Sequence, residues 1–184
     1  MGRADVGQRK RPPRRGQSLV EFALFITILL TLLAALLDLG TLLTNHLAVT
    51  YAARQGALSA AAAGHDPIAD CDALAAIAVG LAGRTNLAVT RILIYEVGND
   101  GLPVGGAGST ANADVYAGNP GCPNPASPPT PSPGNWLPAS RNTTFYQANT
   151  LGIEIDYTYT WQSAAIATGS IHISDHVVIP LNPN

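Results

Sequence analysis

Sixteen consecutive residues, Phe22 to Leu37 (FALFITILLTLLAALL), carry no charge. Apolar side chains point in every direction along this run, which suits lipid or close helical neighbours and not a surface helix. Counted from Gln17, the stretch ahead of Asp38 is 21 residues, enough for a helix to cross roughly 30 Å of hydrocarbon. Its N-terminal flank is basic. Residues 1–16 hold Arg3, Arg9, Lys10, Arg11, Arg14 and Arg15 against Asp5 alone, while residues 17–184 hold four basic and eleven acidic side chains, a balance of −7. Basic residues beside a spanning helix stay in the cytoplasm, so the N-terminus is expected inside and everything after the helix outside. The acidic body excludes nucleic acid as its partner, because phosphate binding needs positive charge on the folded surface.

No breaker follows the apolar run. Helix-compatible sequence continues to Ala63, with Gly64 placed as a C-cap and Pro67 just beyond. A helix over residues 17–63 would be about 70 Å long, and only about half fits in a membrane. It is both anchor and stalk. In the outer half, Leu39, Leu43, Leu47 and Tyr51 form an i, i+4 row flanked by Leu42 and Leu58, with Thr41, Thr44, Asn45 and Gln55 elsewhere. The pattern predicts an amphipathic stalk that packs this row on a domain. Asp38 falls near the outer membrane face, where a solvated acid is expected.

Asp66-Pro67 reads as an N-cap with proline at the first helical position, opening a short helix through Ile68, Leu74, Ile77 and Leu81 that ends near Gly83. Leu87–Val97 is β-branched and aliphatic and reads as a strand. Gly98–Ser140 is dense in Gly, Pro, Asn and Ser and reads as one long irregular segment. Its proline-rich part, 118–138, is expected to be an exposed, mobile loop. Ile153, Ile155, Tyr157, Tyr159 and Trp161 alternate with polar residues as in a half-buried strand, and a last strand covers about 171–179. The fold expected is α+β: a long membrane and stalk helix, a short second helix and a small antiparallel sheet. The divisions are a basic leader (1–16), the helix (17–63) and an exported domain (64–184).

The junction of leader and helix reads Arg14-Arg15-Gly16-Gln17-Ser18-Leu19-Val20-Glu21-Phe22. A basic leader ending in Gly, with Glu five residues on and an apolar helix starting there, resembles the class III signal of type IV pilin-like proteins. Phe22 after the Glu, Asp38-Leu39-Gly40, and Tyr51-Ala52-Ala53-Arg54-Gln55-Gly56-Ala57 are similar to the TadE-like minor pseudopilins of the tight-adherence (Tad/Flp) pilus system. The likeness covers about residues 14–60. Two features depart from it: Gln55 stands where such proteins often carry an acid, and the proline-rich loop reads as an insertion. The resemblance implies a type IV pilin-like architecture and cleavage between Gly16 and Gln17 by a membrane prepilin peptidase. It also implies that Glu21 pairs with the new N-terminal amine of a neighbouring helix, setting axial register. The plainer alternative is that Glu21 is an interfacial acid at the cytoplasmic surface.

Cys71 and Cys122 both lie on the exported side, where an even count permits one disulfide; two unpaired thiols are the alternative. His172 and His176 would share one face of a strand about 13 Å apart, too far for one metal, so no metal or cofactor is expected. No Ser/His/Asp spacing, phosphate loop or paired carboxylates stand out, and the chain is not expected to be an enzyme. The expected function is a non-catalytic subunit in assembly of a Tad/Flp pilus or a related secretion machine. Its expected partners are membrane lipid, the prepilin peptidase, other pilin-like subunits and pilus assembly proteins. It would sit in the cell (inner) membrane as a single-pass protein and enter a pilus from there. The competing readings are a membrane-anchored binding module unrelated to pili and a secreted protein with an ordinary signal peptide.

Overall fold

In the computed structural model, which describes residues 16–163 and 168–183, helix α1 runs unbroken over Gln17–Ala63. It ends where Gly64 takes a φ of 61° and returns its N–H to the Ala60 carbonyl at 2.9 Å. Asp66 then builds the turn into α2 (Ala69–Leu81): its carboxylate accepts the Ile68 N–H at 3.0 Å and its carbonyl accepts the Ala69 N–H at 2.9 Å. The chain doubles back, and α2 lies along the outer half of α1.

The two helices approach through missing side chains. A Cβ on Gly56 would stand 2.7 Å from Ile77 Cγ1, and one on Gly80 would stand 2.9 Å from the Ala52 Cβ. Against this pair packs a four-stranded antiparallel sheet of β1 (Leu87–Glu96), β2 (Ala113–Ala117), β3 (Thr150–Thr160) and β4 (Ser170–Pro180), in the order β2-β1-β3-β4. The core lies between helices and sheet: Val49, Ala53 and Ala57 of α1, Leu74 and Ile77 of α2, and Ile92, Ile94, Ile153, Ile155 and Tyr157 of the sheet. Leu93, Tyr95 and Ala113 form a smaller cluster on the sheet's other face. β1 is therefore buried on both sides from Ile92 to Tyr95, which is why it reads as a continuous apolar run and not as an alternation.

Two expectations are corrected here. The domain packs on the opposite side of the stalk from the leucine row. Leu39, Leu43, Leu47 and Tyr51 are 54%, 58%, 49% and 66% exposed, whereas Asn45, Ala48, Val49, Ala52, Ala53, Gly56, Ala57, Ala60 and Ala61 are buried. Small residues win because they let α2 and the sheet come within backbone distance, and close packing over many atoms outweighs the area of a few leucines. Next, the segment 98–140 is not without regular structure. It holds β2 and a 3-10 turn at Pro138–Ser140. Its proline-rich part is largely exposed, as expected, and is tied to the sheet at one point. Ser132 N–H donates to the Val115 carbonyl at 2.8 Å, and Val115 N–H to the Pro133 carbonyl at 2.9 Å, so this stretch covers the outer edge of β2.

Candidate functional site

Gly16 is the N-cap of α1, exposed, with its carbonyl accepting the Val20 N–H at 3.3 Å. Residues 1–15, the basic part of the leader, lie outside the described residues. Gln17 and Glu21 are both exposed one turn apart, and Gln17 Nε2 donates to Glu21 Oε1 at 2.9 Å. That side-chain amide is neutral and leaves the carboxylate charge uncompensated. Beyond it Phe22, Phe25, Ile28, Leu32 and Leu36 are all more than half exposed. The apolar window at this end of α1 has no buried residue, and the helix is long and apolar enough to cross a membrane.

Where the domain begins, polar rungs tie it to α1. The Asp38 carboxylate accepts from the backbone N–H of Ser163 at 3.0 Å and from its hydroxyl, and the Asp38 carbonyl accepts from Tyr159 Oη at 3.3 Å. Asp38 is 2% exposed, so the expected solvated acid is instead a buried tie between helix and sheet. Thr41 Oγ1 meets Tyr159 Oη at 2.7 Å, Asn45 Nδ2 donates to the Thr85 carbonyl at 3.0 Å, and His46 Nδ1 meets Tyr157 Oη at 3.0 Å. Thr50 Oγ1 donates to Asp175 Oδ2. These rungs fix which face of the stalk is occupied. They leave the opposite face, with its leucine row, bare for about 26 Å between Thr41 and Leu58.

The far side of the domain is held by a cluster that the sequence reading missed. Arg141, whose side chain is fully buried, binds Asp70 of α2 through Nη2 and lies 3.5 Å from Asp114 Oδ2 of β2. Tyr116 donates its hydroxyl to Asp70 Oδ2 at 2.8 Å, and the guanidinium stacks 4.7 Å from the centre of the Trp136 ring. Two carboxylates share one guanidinium. Burial first, then the charge of Asp70 and a hydrogen bond shared with it, push the Asp114 carboxyl up to about 7, against a backbone N–H from Trp136 and the charge of Arg141 that pull it down. Burial likewise raises the Tyr116 phenol. Beside this cluster Cys71 and Cys122 are bonded, with Cα atoms 5.2 Å apart, joining α2 to the start of the proline-rich segment. No sequence motif marks the cluster, since its members are 70 residues and more apart at the extremes and each sits in an ordinary local context. His172 and His176 lie exposed on edge strand β4, and among the described residues no group of metal-binding side chains forms.

Helix and domain together define a class: an α+β protein on one long N-terminal helix, the inner half fit for a membrane and the outer half serving as the domain's spine. Residues 16–58 match the family model of TadE-like proteins. The matched segment holds the leader junction, the apolar run and most of the stalk, and it stops before α2. No curated protein and no solved structure matches the chain. The N-terminal segment is TadE-like, then, and the domain it carries is described by its own geometry.

Proposed function

We propose that this chain is a non-catalytic, pilin-like subunit that takes part in assembling a Tad/Flp pilus or a related secretion machine. In this reading a prepilin peptidase cuts between Gly16 and Gln17, and the basic leader stays on the cytoplasmic side. The helix remains in the membrane with the domain outside the cytoplasm, and lateral packing of helices draws the subunit into the assembly. The observation that carries the proposal is the bare row Leu39, Leu43, Leu47 and Tyr51, which runs on past the membrane on the side the domain leaves open. A monomer has no use for exposed leucines outside lipid, whereas a bundle of such stalks buries them. The TadE-like match over the same residues supports the reading.

Glu21 supplies register. After cleavage Gln17 bears a free amine, and a carboxylate one turn inside the apolar run costs about 2.5–3.5 kcal/mol at a bilayer centre. Pairing with a neighbour's amine offsets that cost and fixes the axial offset between helices. Glu21→Ala and Glu21→Gln test it. Both variants should insert, oxidise Cys71–Cys122 and reach normal membrane levels in processed form, while crosslinking to other pilus components falls. Normal crosslinking in both variants would make Glu21 an interfacial acid and remove the register mechanism.

A further inference from the structure

Four arginines lie outside the leader: Arg54, Arg84, Arg91 and Arg141. Arg91 grips Glu154 and Asp156 at 3.0 and 2.7 Å, and Arg141 is buried on Asp70. Arg54 and Arg84 make no ion pair among the described residues, and both are exposed. Their positions differ. Gly83, with a φ of +71°, turns the chain at the end of α2, and the Asn45–Thr85 hydrogen bond of 3.0 Å pins that turn beside α1. Between turn and helix lies an open groove of about 420 Å³, apolar at one end through Leu36, Leu37 and Gly40, and polar at the other through Thr44 and Arg84. The floor is clear at Gly40, where an added Cβ would meet nothing within 4 Å.

The groove's level relative to a bilayer follows from the helix rise. The 21 residues from Gln17 to Leu37 bring the hydrocarbon to an end near Asp38. The headgroup layer adds roughly 5–7 Å on that side, which takes in residues up to about Leu42. The groove thus runs from the end of the acyl-chain region at Leu36 and Leu37 to the outer edge of the headgroup layer at Arg84. Trp161, partly exposed and packed edge to face at 5.5 Å on the buried Tyr159, sits near the same level through the Tyr159–Thr41 contact, where aromatic residues settle at a membrane interface. Asp38, the acid nearest along α1, does not line the groove, and Ser163 occupies its carboxylate.

We propose that this groove seats one phospholipid of the leaflet on the domain's side. The Arg84 guanidinium holds the headgroup phosphate, and one acyl chain lies along Leu36, Leu37 and Gly40. Guanidinium suits the task because its planar fork grips phosphate oxygens in pairs. The body of the protein is acidic overall, so attraction here is local to Arg84 and not a general field. Such a lipid would wedge between stalk and domain at the membrane surface and limit how far the domain can tilt. The proposal rests on α1 spanning a bilayer and is independent of any role in a pilus.

The test uses the full chain in nanodiscs of phosphatidylcholine with a minority of phosphatidylglycerol, released into native mass spectrometry. The wild type should retain one phospholipid. Arg84→Gln should lower the retained fraction about ten-fold, the scale of one lost charge-assisted contact, whereas Arg54→Gln should not, and Arg84→Lys should keep most of it. Leader arginines are the same in every variant, so the difference isolates Arg84. Equal retention by wild type and Arg84→Gln would overturn the proposal. So would displacement of the lipid by millimolar inorganic phosphate, which would make the seat a simple anion site. A chain that never enters the discs defeats the spanning premise, and that failure is visible before any lipid is weighed.

Discussion

Asp114 and Asp70 face one guanidinium in a site sealed by Tyr116 and Trp136. An Asp in an unfolded chain titrates near 4, and in the fold Asp114 holds its proton up to about 7. Between those values the folded state binds a proton that the unfolded state does not, so stability falls as pH rises through that window and is greatest below it. Thermal melts of the protein in detergent should therefore show a higher midpoint near pH 5 than near pH 8. Asp114→Asn, which keeps the shape and removes the charge, should flatten that dependence and raise the midpoint at pH 8. A midpoint that climbs steadily from pH 5 to pH 8 would show that Asp114 does not hold its proton in the fold. Arg141→Met is the opposite case: it strands two buried acids, and breaking such a group costs about 3–5 kcal/mol.

Helix α1 carries two apolar faces outside the membrane, and they call for opposite responses to mutation. On the buried face, Gly56→Val drives a branched side chain into Ile77 and the Ala73 carbonyl and should destabilise the domain by about 1–3 kcal/mol. On the bare face, the double variant Leu47→Ser, Tyr51→Ser should leave the melting midpoint nearly unchanged, because surface substitutions of this kind stay within about 0.5 kcal/mol. It should instead weaken crosslinking between stalks. A loss of stability from the double variant and none from Gly56→Val would reverse the assignment of faces. The bounds of α1 were legible from the sequence, because an uninterrupted apolar and Ala-rich run closed by Gly64 admits little else. β1, β3 and β4 were legible from their branched and alternating residues. Which face of the stalk packs was not: leucine periodicity measures apolar area, while docking was decided by Gly56, Gly80 and the alanines, which score low on any hydrophobic pattern. β2 escaped for a related reason. Five residues, Ala113-Asp114-Val115-Tyr116-Ala117, make a strand only because β1 on one side and the 132–135 segment on the other complete their hydrogen bonds. The even count of Cys71 and Cys122 permitted a disulfide without deciding it, whereas Asp70, Asp114 and Arg141 are brought together by tertiary structure and leave no local trace.

Taken whole, the molecule is a helical spine with a domain clamped to one side of its outer half. Disulfide, buried arginine and polar rungs brace the domain against α1 and α2, and nothing in the described chain covers the spine's other side. A rigid domain on a long helix with one free apolar face is a shape suited to lateral assembly. In the proposed reading it joins such an assembly once the helix is released from its basic leader with its apolar start kept. Everything proposed for Glu21 depends on a free amine at Gln17. The mass of the intact protein recovered from membranes, with sequencing of its N-terminus, decides this most directly. The account predicts a mature chain that begins at Gln17, with residues 1–16 absent and the whole of α1 retained. A chain that still carries its leader, or one that begins at or after Ala60, would contradict it.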